Sequence, residues 1–192
     1  MEKYPGRKKI AVFISGRGSN LRSLIKYSKK KDSLIKIILV ISNNPDAEGL
    51  KYASKSKIKI CGIKFKKKSN FENNSLKLLK KYNIDTLCLA GFMKILSGNF
   101  IRKFSKPILN IHPSLLPKYK GLNTHERAIK NKDEFAGASV HKVTEKLDSG
   151  KVILQKRVKI LKSDNVRSLE KKVLKIEHEI YPKAIRKFLT NP

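Results

Sequence analysis

The first two-thirds of the chain alternates short, continuously apolar segments with segments that carry apolar residues at helical spacing. Residues 9–15 are apolar almost without interruption, which is typical of a strand buried on both faces. Leu21, Leu24 and Ile25 follow at helical spacing. This alternation predicts an α/β fold, with an open, mostly parallel, Rossmann-like sheet and helices on both of its faces. Further strand patterns cover residues 36–41, 59–63, 85–90, 107–112, 137–143 and 151–160, and helix patterns cover residues 46–56 and 124–131.

A chain of 192 residues is long enough for one hydrophobic core, so we expect a single domain over residues 1–192. Residues 1–8 are polar and basic and are expected to form a flexible N-terminal extension, not a signal peptide. No apolar run approaches the ~20 residues that a membrane-spanning helix needs. Cys61 and Cys88 lie in or beside apolar strand patterns without metal-ligand spacing, which predicts reduced, buried thiols in a cytoplasmic protein.

The formal net charge of +30 allows two interpretations. A strongly basic protein is a candidate for nucleic-acid binding, but the positive residues are mostly Lys, whereas Arg is favoured for bidentate recognition of phosphates and bases. The lysines are also scattered along the chain, as expected of a general enrichment of Lys on solvated surfaces. The charge pattern therefore favours general Lys enrichment over a nucleic-acid partner. Apart from the charge, we expect small-molecule substrates, no membrane partner, and a monomer or homodimer. The charge would attract anionic substrates at long range.

A glycine-rich turn, residues 16–20 (Gly-Arg-Gly-Ser-Asn), joins the first strand pattern to the first helix pattern. Such a turn exposes backbone N–H groups at a helix N-terminus and favours anions, especially phosphate. Ser19 and Asn20 add side-chain donors, and either could cap the helix. The third glycine of the dinucleotide fingerprint and the Gly-Lys-Ser/Thr ending of a nucleoside-triphosphate loop are missing. The alternatives are another kind of phosphate site and a simple strand-to-helix turn.

Residues 91–96 (Gly-Phe-Met-Lys-Ile-Leu) follow the strand pattern over residues 85–90 and are unusually apolar for a surface loop. They either cover the core or line an apolar pocket for a flat ligand at the strand ends.

Asn110 and His112 end the strand pattern over residues 107–112 and stand two positions apart, so both side chains share one face of the strand. Pro113 then prevents further central pairing. An amide and an imidazole at the carboxyl end of a strand can stabilise a developing oxyanion, as in acyl transfer. The alternative is that Asn110 satisfies a turn and His112 is a half-buried residue at a strand end.

Asp148 precedes Ser149 and Gly150 in the connection between the last two strand patterns. It is therefore either an Asx-type turn former or a carboxylate directed at His112. In open parallel sheets ligands bind at the carboxyl ends of the strands. The glycine-rich turn, residues 91–96 and the pair of Asn110 with His112 all follow such ends, which predicts one ligand site along this edge.

Three further patterns predict features of the helices. Ser69 followed by Glu72 is the pattern of a capping box and predicts that a helix begins there. Asp164 is predicted to cap a final long helix, in which apolar residues repeat at helical spacing. Pro182 is predicted to kink or interrupt that helix.

Five segments together closely resemble phosphoribosylglycinamide formyltransferases, members of the folate-dependent formyltransferase family. The most specific segment is residues 109–117, Leu-Asn-Ile-His-Pro-Ser-Leu-Leu-Pro, which is followed at the family's distance by Leu-Asp-Ser-Gly at residues 147–150. The resemblance spans roughly residues 9–189. The other matching segments are residues 14–21, 89–97, 138–150 and 177–182.

This resemblance implies direct, metal-free transfer of a formyl group from 10-formyltetrahydrofolate, the formyl-donor co-substrate, to the amine of glycinamide ribonucleotide. It implies that Asn110 and His112 stabilise the oxyanion, and that Asp148 orients His112, favours its protonated form and helps to move the proton of the amine. By the same resemblance the residues for the ribonucleotide are Gly18, Ser19, Asn20 and Glu177, and those for the folate are Met93, Lys94, Ile95, Leu96 and Asn110.

The sequence departs from the family pattern at three identified positions. Lys94 stands where Arg is usual, Asn123 where His is usual, and Leu174 where a polar residue is usual. The helix after Ser69 looks shortened, so a family arginine that contacts the folate has no assigned counterpart. These departures concern substrate contacts and leave Asn110, His112 and Asp148 unchanged.

Two other functions compete with this interpretation. Methionyl-tRNA formyltransferases have a similar Asn-x-His centre and would suit the basic charge. That family continues its Ser-Leu-Leu-Pro motif with Arg-Gly-x-x-Pro, where this chain has Lys-Gly-Leu-Asn-Thr at residues 120–124. Such enzymes also carry a C-terminal RNA-binding domain, which we do not expect in 192 residues. A catalytically silent, basic nucleic-acid module is the second alternative, and the intact set of Asn110, His112 and Asp148 argues against it.

Overall fold

The computed structural model describes residues 6–191, and the chain divides into two compact units, Met1–Leu109 and Asn110–Pro192. The strands are β1 (Lys8–Ile14), β2 (Ile35–Ser42), β3 (Lys59–Gly62), β4 (Thr86–Leu89), β5 (Ile108–His112), β6 (Phe135–Lys142) and β7 (Val152–Lys159). The helices are α1 (Ser19–Ser28), α2 (Glu48–Lys55), α3 (Lys68–Lys81), α4 (Gly98–Phe104), α5 (Thr124–Lys130) and α6 (Val166–Thr190).

The strands form a seven-stranded sheet in the order β3-β2-β1-β4-β5-β6-β7. The pairs β1–β2, β1–β4 and β2–β3 are parallel, whereas β6 and β7 pair antiparallel. The predicted α/β class with a mostly parallel sheet is therefore confirmed. Of the N-terminal extension predicted over residues 1–8, residues 1–5 lie outside the described residues, and Lys8 is the first residue of β1.

In the first unit, β1 is the central strand because β2 and β4 pair with it on its two sides. Residues 10–14 are completely buried, as their continuous apolar run predicts. The segments after β1 and β4 lie side by side at the carboxyl ends of these strands. There, the backbone N–H of Ser15 donates to the Gly91 carbonyl (3.1 Å), and the Met93 N–H donates to Ser15 Oγ (2.8 Å).

Both helix starts predicted from side-chain caps in this unit are wrong. The N-cap of α1 is Gly18, so Ser19 and Asn20 lie inside the first turn of the helix. The N-cap of α3 is Lys67 and makes no side-chain cap bond, so Ser69 also lies inside the helix. The buried carboxylate of Glu72 binds elsewhere, since it accepts hydrogen bonds from the backbone N–H and the Oγ of Ser97 at 2.7 and 2.6 Å.

In the second unit, β6 and β7 form an antiparallel pair against which α6 packs. The predicted cap of α6 is displaced by one residue. Asn165 and Ser168 form a reciprocal capping box, while Asp164 accepts from the backbone N–H of Leu161 (2.8 Å) and pairs with Lys172. Pro182 does not interrupt α6, which continues to Thr190. The buried side chains along α6 offset the roughly 3 kcal/mol that proline costs inside a helix.

The prediction that both cysteines are buried is confirmed for Cys88 on β4 and is wrong for Cys61. Cys61 lies on β3 and is half-exposed, because β3 is the edge strand of the sheet. Within residues 6–191, the helices are too short or too polar to cross a membrane.

Candidate active site

The second unit brings Asn110, His112, His141 and Asp148 together, and we call these four residues the amide–imidazole cluster. Asn110 and His112 lie on β5, two positions apart, and therefore on one face of the strand. Asn110 is half-buried, and His112 is only 5% exposed. His141 lies on β6, and Asp148 lies in the connection between β6 and β7.

His112 contacts a different neighbour through each ring nitrogen. Its Nε2 lies 2.8 Å from the carbonyl oxygen of Tyr119, and because a carbonyl can only accept, Nε2 carries the hydrogen. Its Nδ1 lies 3.5 Å from Asp148 Oδ2, which is longer than an ordinary N–H···O hydrogen bond. His112 is thus fixed by the Tyr119 carbonyl, and its Nδ1 edge stands beside a carboxylate.

Burial lowers the pKa of His112 below its ordinary value of 6.5. The hydrogen bond to Tyr119 and the charge of Asp148 act in the opposite direction, and His141 and Arg127 add to the lowering. The expectation that Asp148 favours the protonated form of His112 thus gives the correct direction for that one interaction. The net pKa is nevertheless lowered, because desolvation outweighs the carboxylate. In the protein without substrate, His112 is therefore neutral at pH 7.

Asp148 is the acceptor around which the cluster is arranged. Its Oδ2 accepts from the backbone N–H of Gly121 at 2.9 Å, and its Oδ1 lies 3.5 Å from His141 Nε2. Burial raises the pKa of this carboxyl, but the proximity of His141, the hydrogen bond from the Gly121 N–H and the proximity of His112 outweigh it, so the net pKa is lowered. Asp148 is ionised at neutral pH. Its carboxylate faces Gly121 and His112, which are distant in the sequence, in agreement with a carboxylate directed at His112 and not with a local turn former.

The segment from Tyr119 to Asn123 closes around the cluster. Arg127 on α5 donates to the Lys120 carbonyl at 2.8 Å, and Lys120 Nζ donates to Ser149 Oγ at 2.7 Å. Asn123, where the family usually has His, has a left-handed backbone (φ 57°) and is the N-cap of α5 without a side-chain cap bond. The segment is therefore held by its neighbours and not by the side chain of Asn123.

His141 is the member of the cluster that sequence reasoning did not identify. It is 2% exposed, with Nε2 3.2 Å from the Asn110 amide and Nδ1 2.9 Å from the Lys142 carbonyl. A histidine at the end of a strand seven residues before Asp148 was a visible signal. Its relation to Asn110 depends on strand order, which the sequence alone does not give.

In the first unit, the glycine-rich turn leads directly into the N-terminus of α1. Gly18 has a left-handed backbone (φ +72°), and a Cβ there would stand 2.8 Å from the Cα of Gly49. Glycine is therefore required both for the conformation and for the close approach of two backbones. Ser19 and Asn20 are the first two residues of α1, and the N-terminus of a helix favours an anion.

Part of the segment over residues 91–96 covers the core, as the first of its two interpretations predicts. Phe92 packs against Phe13 and Phe71 in the core, and Leu96 is buried. Met93 and Ile95 are 69% and 61% exposed, so they are available to an apolar ligand. Lys94 lies with its Nζ 4.9 Å from the centre of the Phe65 ring.

Two other predicted positions lie on α6 of the second unit. Glu177, predicted to contact the ribonucleotide, is buried, and Leu174, one turn earlier, is half-buried. Among residues 6–191, no group of three or more His, Cys, Asp or Glu side chains has an arrangement that could hold a metal ion.

Comparison with known proteins identifies the family. A sequence model described as formyl transferase matches residues 8–185. The chain belongs to the formyl transferase family. The phosphoribosylglycinamide formyltransferase of Haemophilus influenzae is 44% identical over 184 residues, which cover 94% of this chain and 87% of that protein. The corresponding enzyme of Escherichia coli is 41% identical over 182 residues, covering 93% of this chain and 86% of that protein.

A solved structure and a longer protein are also similar to this chain. The crystal structure of phosphoribosylglycinamide formyltransferase from Brucella melitensis superimposes with a TM-score of 0.90 at 40% identity and covers 95% of each chain. The trifunctional purine biosynthetic protein adenosine-3 of Bos taurus is 41% identical over 185 residues, but this chain spans only 18% of that protein's length. The resemblance to phosphoribosylglycinamide formyltransferases inferred from the motif segments is confirmed.

Proposed function

We propose that this formyltransferase moves the formyl group of 10-formyltetrahydrofolate to the amine of glycinamide ribonucleotide, a step of purine biosynthesis. The single observation that carries the proposal is the meeting of Asn110, His112 and Asp148 in one cluster, in a chain 41–44% identical to enzymes of that name. An amide donor, an imidazole and a carboxylate are the groups that formyl transfer to an amine requires.

The reaction begins when the substrate amine attacks the formyl carbon. A bond forms between the amine nitrogen and that carbon, and the electron pair of the carbonyl moves to oxygen, giving a tetrahedral oxyanion. The Nδ2 group of Asn110 donates to this oxyanion. One donor of this kind typically contributes ~100- to 1000-fold in rate.

His112 takes up the proton that the amine loses, directly or through a water molecule. The ring is neutral beforehand, and its Nε2 hydrogen is bound to Tyr119, so Nδ1 holds the free lone pair. Once protonated, Nδ1 donates to the oxyanion, and Asp148 at 3.5 Å stabilises the new positive charge. Collapse of the intermediate breaks the bond from carbon to N10 of the folate, which leaves with the proton as tetrahydrofolate.

The remaining predicted residues bind the two substrates. We assign the ribonucleotide phosphate to the turn at Gly18, Ser19 and Asn20, since its backbone N–H groups and left-handed glycine suit an anion. We assign a ribonucleotide contact to Glu177. The folate is assigned to Met93, Lys94, Ile95 and Leu96, on the strength of the exposed apolar side chains at Met93 and Ile95.

The test is a spectroscopic assay of tetrahydrofolate release with the purified protein, 10-formyltetrahydrofolate and glycinamide ribonucleotide. We expect turnover that is lost in His112→Ala and kept in His125→Gln, a change to a second partly buried histidine of the same unit. Turnover with methionyl-tRNA in place of the ribonucleotide, or a His112→Ala variant as fast as the wild type, would refute the proposal.

A further inference from the structure

The single hydrogen of the neutral His112 ring has two competing acceptors. The Tyr119 carbonyl oxygen lies 2.8 Å from Nε2, and Asp148 Oδ2 lies 3.5 Å from Nδ1. A carboxylate is the stronger acceptor, since hydrogen bonds to a charged group are about twice as strong as neutral ones. The hydrogen therefore stays on Nε2 only while the Tyr119 carbonyl is held within hydrogen-bond distance of that nitrogen.

The position of this hydrogen decides whether His112 can take part in the reaction. With the hydrogen on Nε2, the lone pair of Nδ1 is free to take up the proton of the amine. With the hydrogen on Nδ1 and bound to Asp148, the lone pair lies on Nε2 and faces the Tyr119 carbonyl, which has no hydrogen to donate. The Tyr119 carbonyl thus selects the reactive form of the ring.

The turn that carries this carbonyl has a strained backbone. Tyr119 has a left-handed conformation (φ 53°), which costs free energy for a residue with a bulky side chain. Such a conformation persists only where the surrounding structure fixes it. Gly121 is also left-handed (φ 79°), and its N–H donates to Asp148 Oδ2 at 2.9 Å. A displacement of this turn would therefore disturb both His112 and the carboxylate beside it.

The phenol of Tyr119 anchors the turn. Its hydroxyl donates to Asp133 Oδ2 at 2.8 Å and accepts from Asn131 Nδ2 at 2.9 Å. The side chain of Asp133 is only 13% exposed, and its Oδ1 accepts from Lys118 Nζ at 3.2 Å. The Arg127 guanidinium lies 4.8 Å from the centre of the Tyr119 ring. A largely buried carboxylate thus holds the side chain of the residue whose carbonyl selects the reactive ring form.

We propose that Tyr119 and Asp133 are positioning residues: the hydrogen bond from the Tyr119 hydroxyl to Asp133 holds the Tyr119 carbonyl against His112 and so keeps the ring in its reactive form. Asp133 lies in the connection between α5 and β6, outside the amide–imidazole cluster. Both side chains act through the main chain of Tyr119. The inference rests on the proposed function, because it specifies what keeps Nδ1 of His112 free for the proton of the amine.

The variant Tyr119→Phe tests this role without changing a charge. It removes only the hydroxyl and keeps the ring beside Arg127, whose charge also acts on His112. We expect kcat to fall ~10- to 100-fold with KM for the formyl donor within about threefold, because the ring is displaced or loses its reactive form. The matched control is Tyr82→Phe, a change to a half-buried tyrosine at the end of α3, which should leave kcat unchanged.

Nitrogen NMR of the histidine rings gives a measurement that needs no activity. The signals of His112 are identified by their loss in His112→Ala. At about pH 8, where the ring is neutral, we expect hydrogen on Nε2 in the wild type and a shift of hydrogen to Nδ1 in Tyr119→Phe. A variant that keeps the hydrogen on Nε2 as the wild type does overturns the proposal even if its kcat is low. A general loss of structure would slow the enzyme without moving that hydrogen between the two nitrogens.

A double-mutant cycle shows whether the hydroxyl acts through Asp133. Asp133→Ala should lower kcat by about the same factor as Tyr119→Phe, and the double variant should be no slower than either single variant. If the two losses multiply, the hydroxyl and the carboxylate act separately and the proposal is overturned. If Asp133→Ala does not fold, Tyr119→Phe and the NMR measurement still decide between these outcomes.

Failure of the positioning role and failure of the proposed function give different results. A wild-type protein without turnover on glycinamide ribonucleotide refutes the function, whereas the NMR measurement still decides whether Tyr119 fixes the hydrogen on His112. A wild-type protein with turnover whose ring form is unchanged in Tyr119→Phe refutes only the positioning role.

Discussion

Replacing Ser139 by alanine should destabilise the protein more than replacing an exposed serine does, because the buried hydroxyl of Ser139 fixes the segment that follows His112. Ser139 lies on β6 and has no exposed surface. Its Oγ donates to the Ser114 carbonyl at 2.5 Å and accepts from the Leu116 N–H at 3.0 Å. It also accepts from Gln155 Nε2 at 2.8 Å.

The size of the effect follows from which partners lose their bond. Gln155 still donates to the Leu116 carbonyl at 2.7 Å, so its loss is small. Leu116 and Ser114 are buried, and the N–H of the one and the carbonyl of the other lose the Ser139 hydroxyl as a partner. Each buried group left without a partner costs ~1 to 3 kcal/mol of stability. We therefore expect Ser139→Ala to lower the free energy of unfolding by ~2 to 6 kcal/mol. For a chain of this length this corresponds to roughly 4–24 °C in Tm.

Urea unfolding followed by circular dichroism measures this change, with Ser28→Ala as the matched control. Ser28 makes one local bond, to the Ile25 carbonyl within α1, so its loss should stay within about 0.5 kcal/mol. If Ser139→Ala changes the free energy of unfolding no more than Ser28→Ala does, the hydroxyl does not hold the segment after His112 and the reasoning is refuted.

Three further predictions concern the two units. Asp148→Asn removes a charge that raises the pKa of His112, so kcat should fall and the acid limb of the pH–rate profile should move to lower pH. An acid limb at the wild-type pH would show that Asp148 does not act on His112. Burial lowers the pKa of His125 below 6.5, so below about pH 6.5 the unfolded chain binds more protons than the folded one and stability is lost as the pH falls. His125→Gln should therefore lose less stability between pH 8 and pH 5 in urea titrations than the wild type, and equal losses would contradict this. Gly18→Ala places a Cβ 2.8 Å from the Gly49 Cα at a φ of +72°, and this change should raise KM for the ribonucleotide at least tenfold. In the control Gly16→Ala the added Cβ meets nothing within 4 Å, so KM should stay unchanged. Equal KM values in the two variants would contradict the phosphate assignment.

The strands and the chemical pair on β5 could be predicted because they depend on local pattern. A continuous apolar run specifies a strand buried on both faces, and the two-residue spacing of Asn110 and His112 specifies a shared face whatever surrounds it. The resemblance supplied what spacing could not, namely that Asp148 belongs with this pair.

The helix starts were predicted poorly because several side chains can compete for one cap. Asp164 and Asn165 are adjacent, and which of them caps α6 depends on Ser168, which bonds to both. Glu72 has the spacing of a capping residue but bonds to Ser97, 25 positions away, because α3 buries it. Such choices are made by tertiary contacts that a local pattern does not contain.

The net shift in the pKa of His112 could not be predicted from the sequence, for a related reason. A neighbouring carboxylate can be inferred from sequence, but the desolvation that opposes it depends on how completely the folded chain covers the ring. The result favours the reaction, because a neutral ring can take up a proton and a charged one cannot. Asp148 stabilises positive charge on His112 only when the amine has delivered its proton, so the carboxylate acts more strongly in the transition state than in the resting protein. An interaction that becomes stronger along the reaction raises kcat, whereas an interaction that is equally strong in the resting protein does not lower the activation barrier.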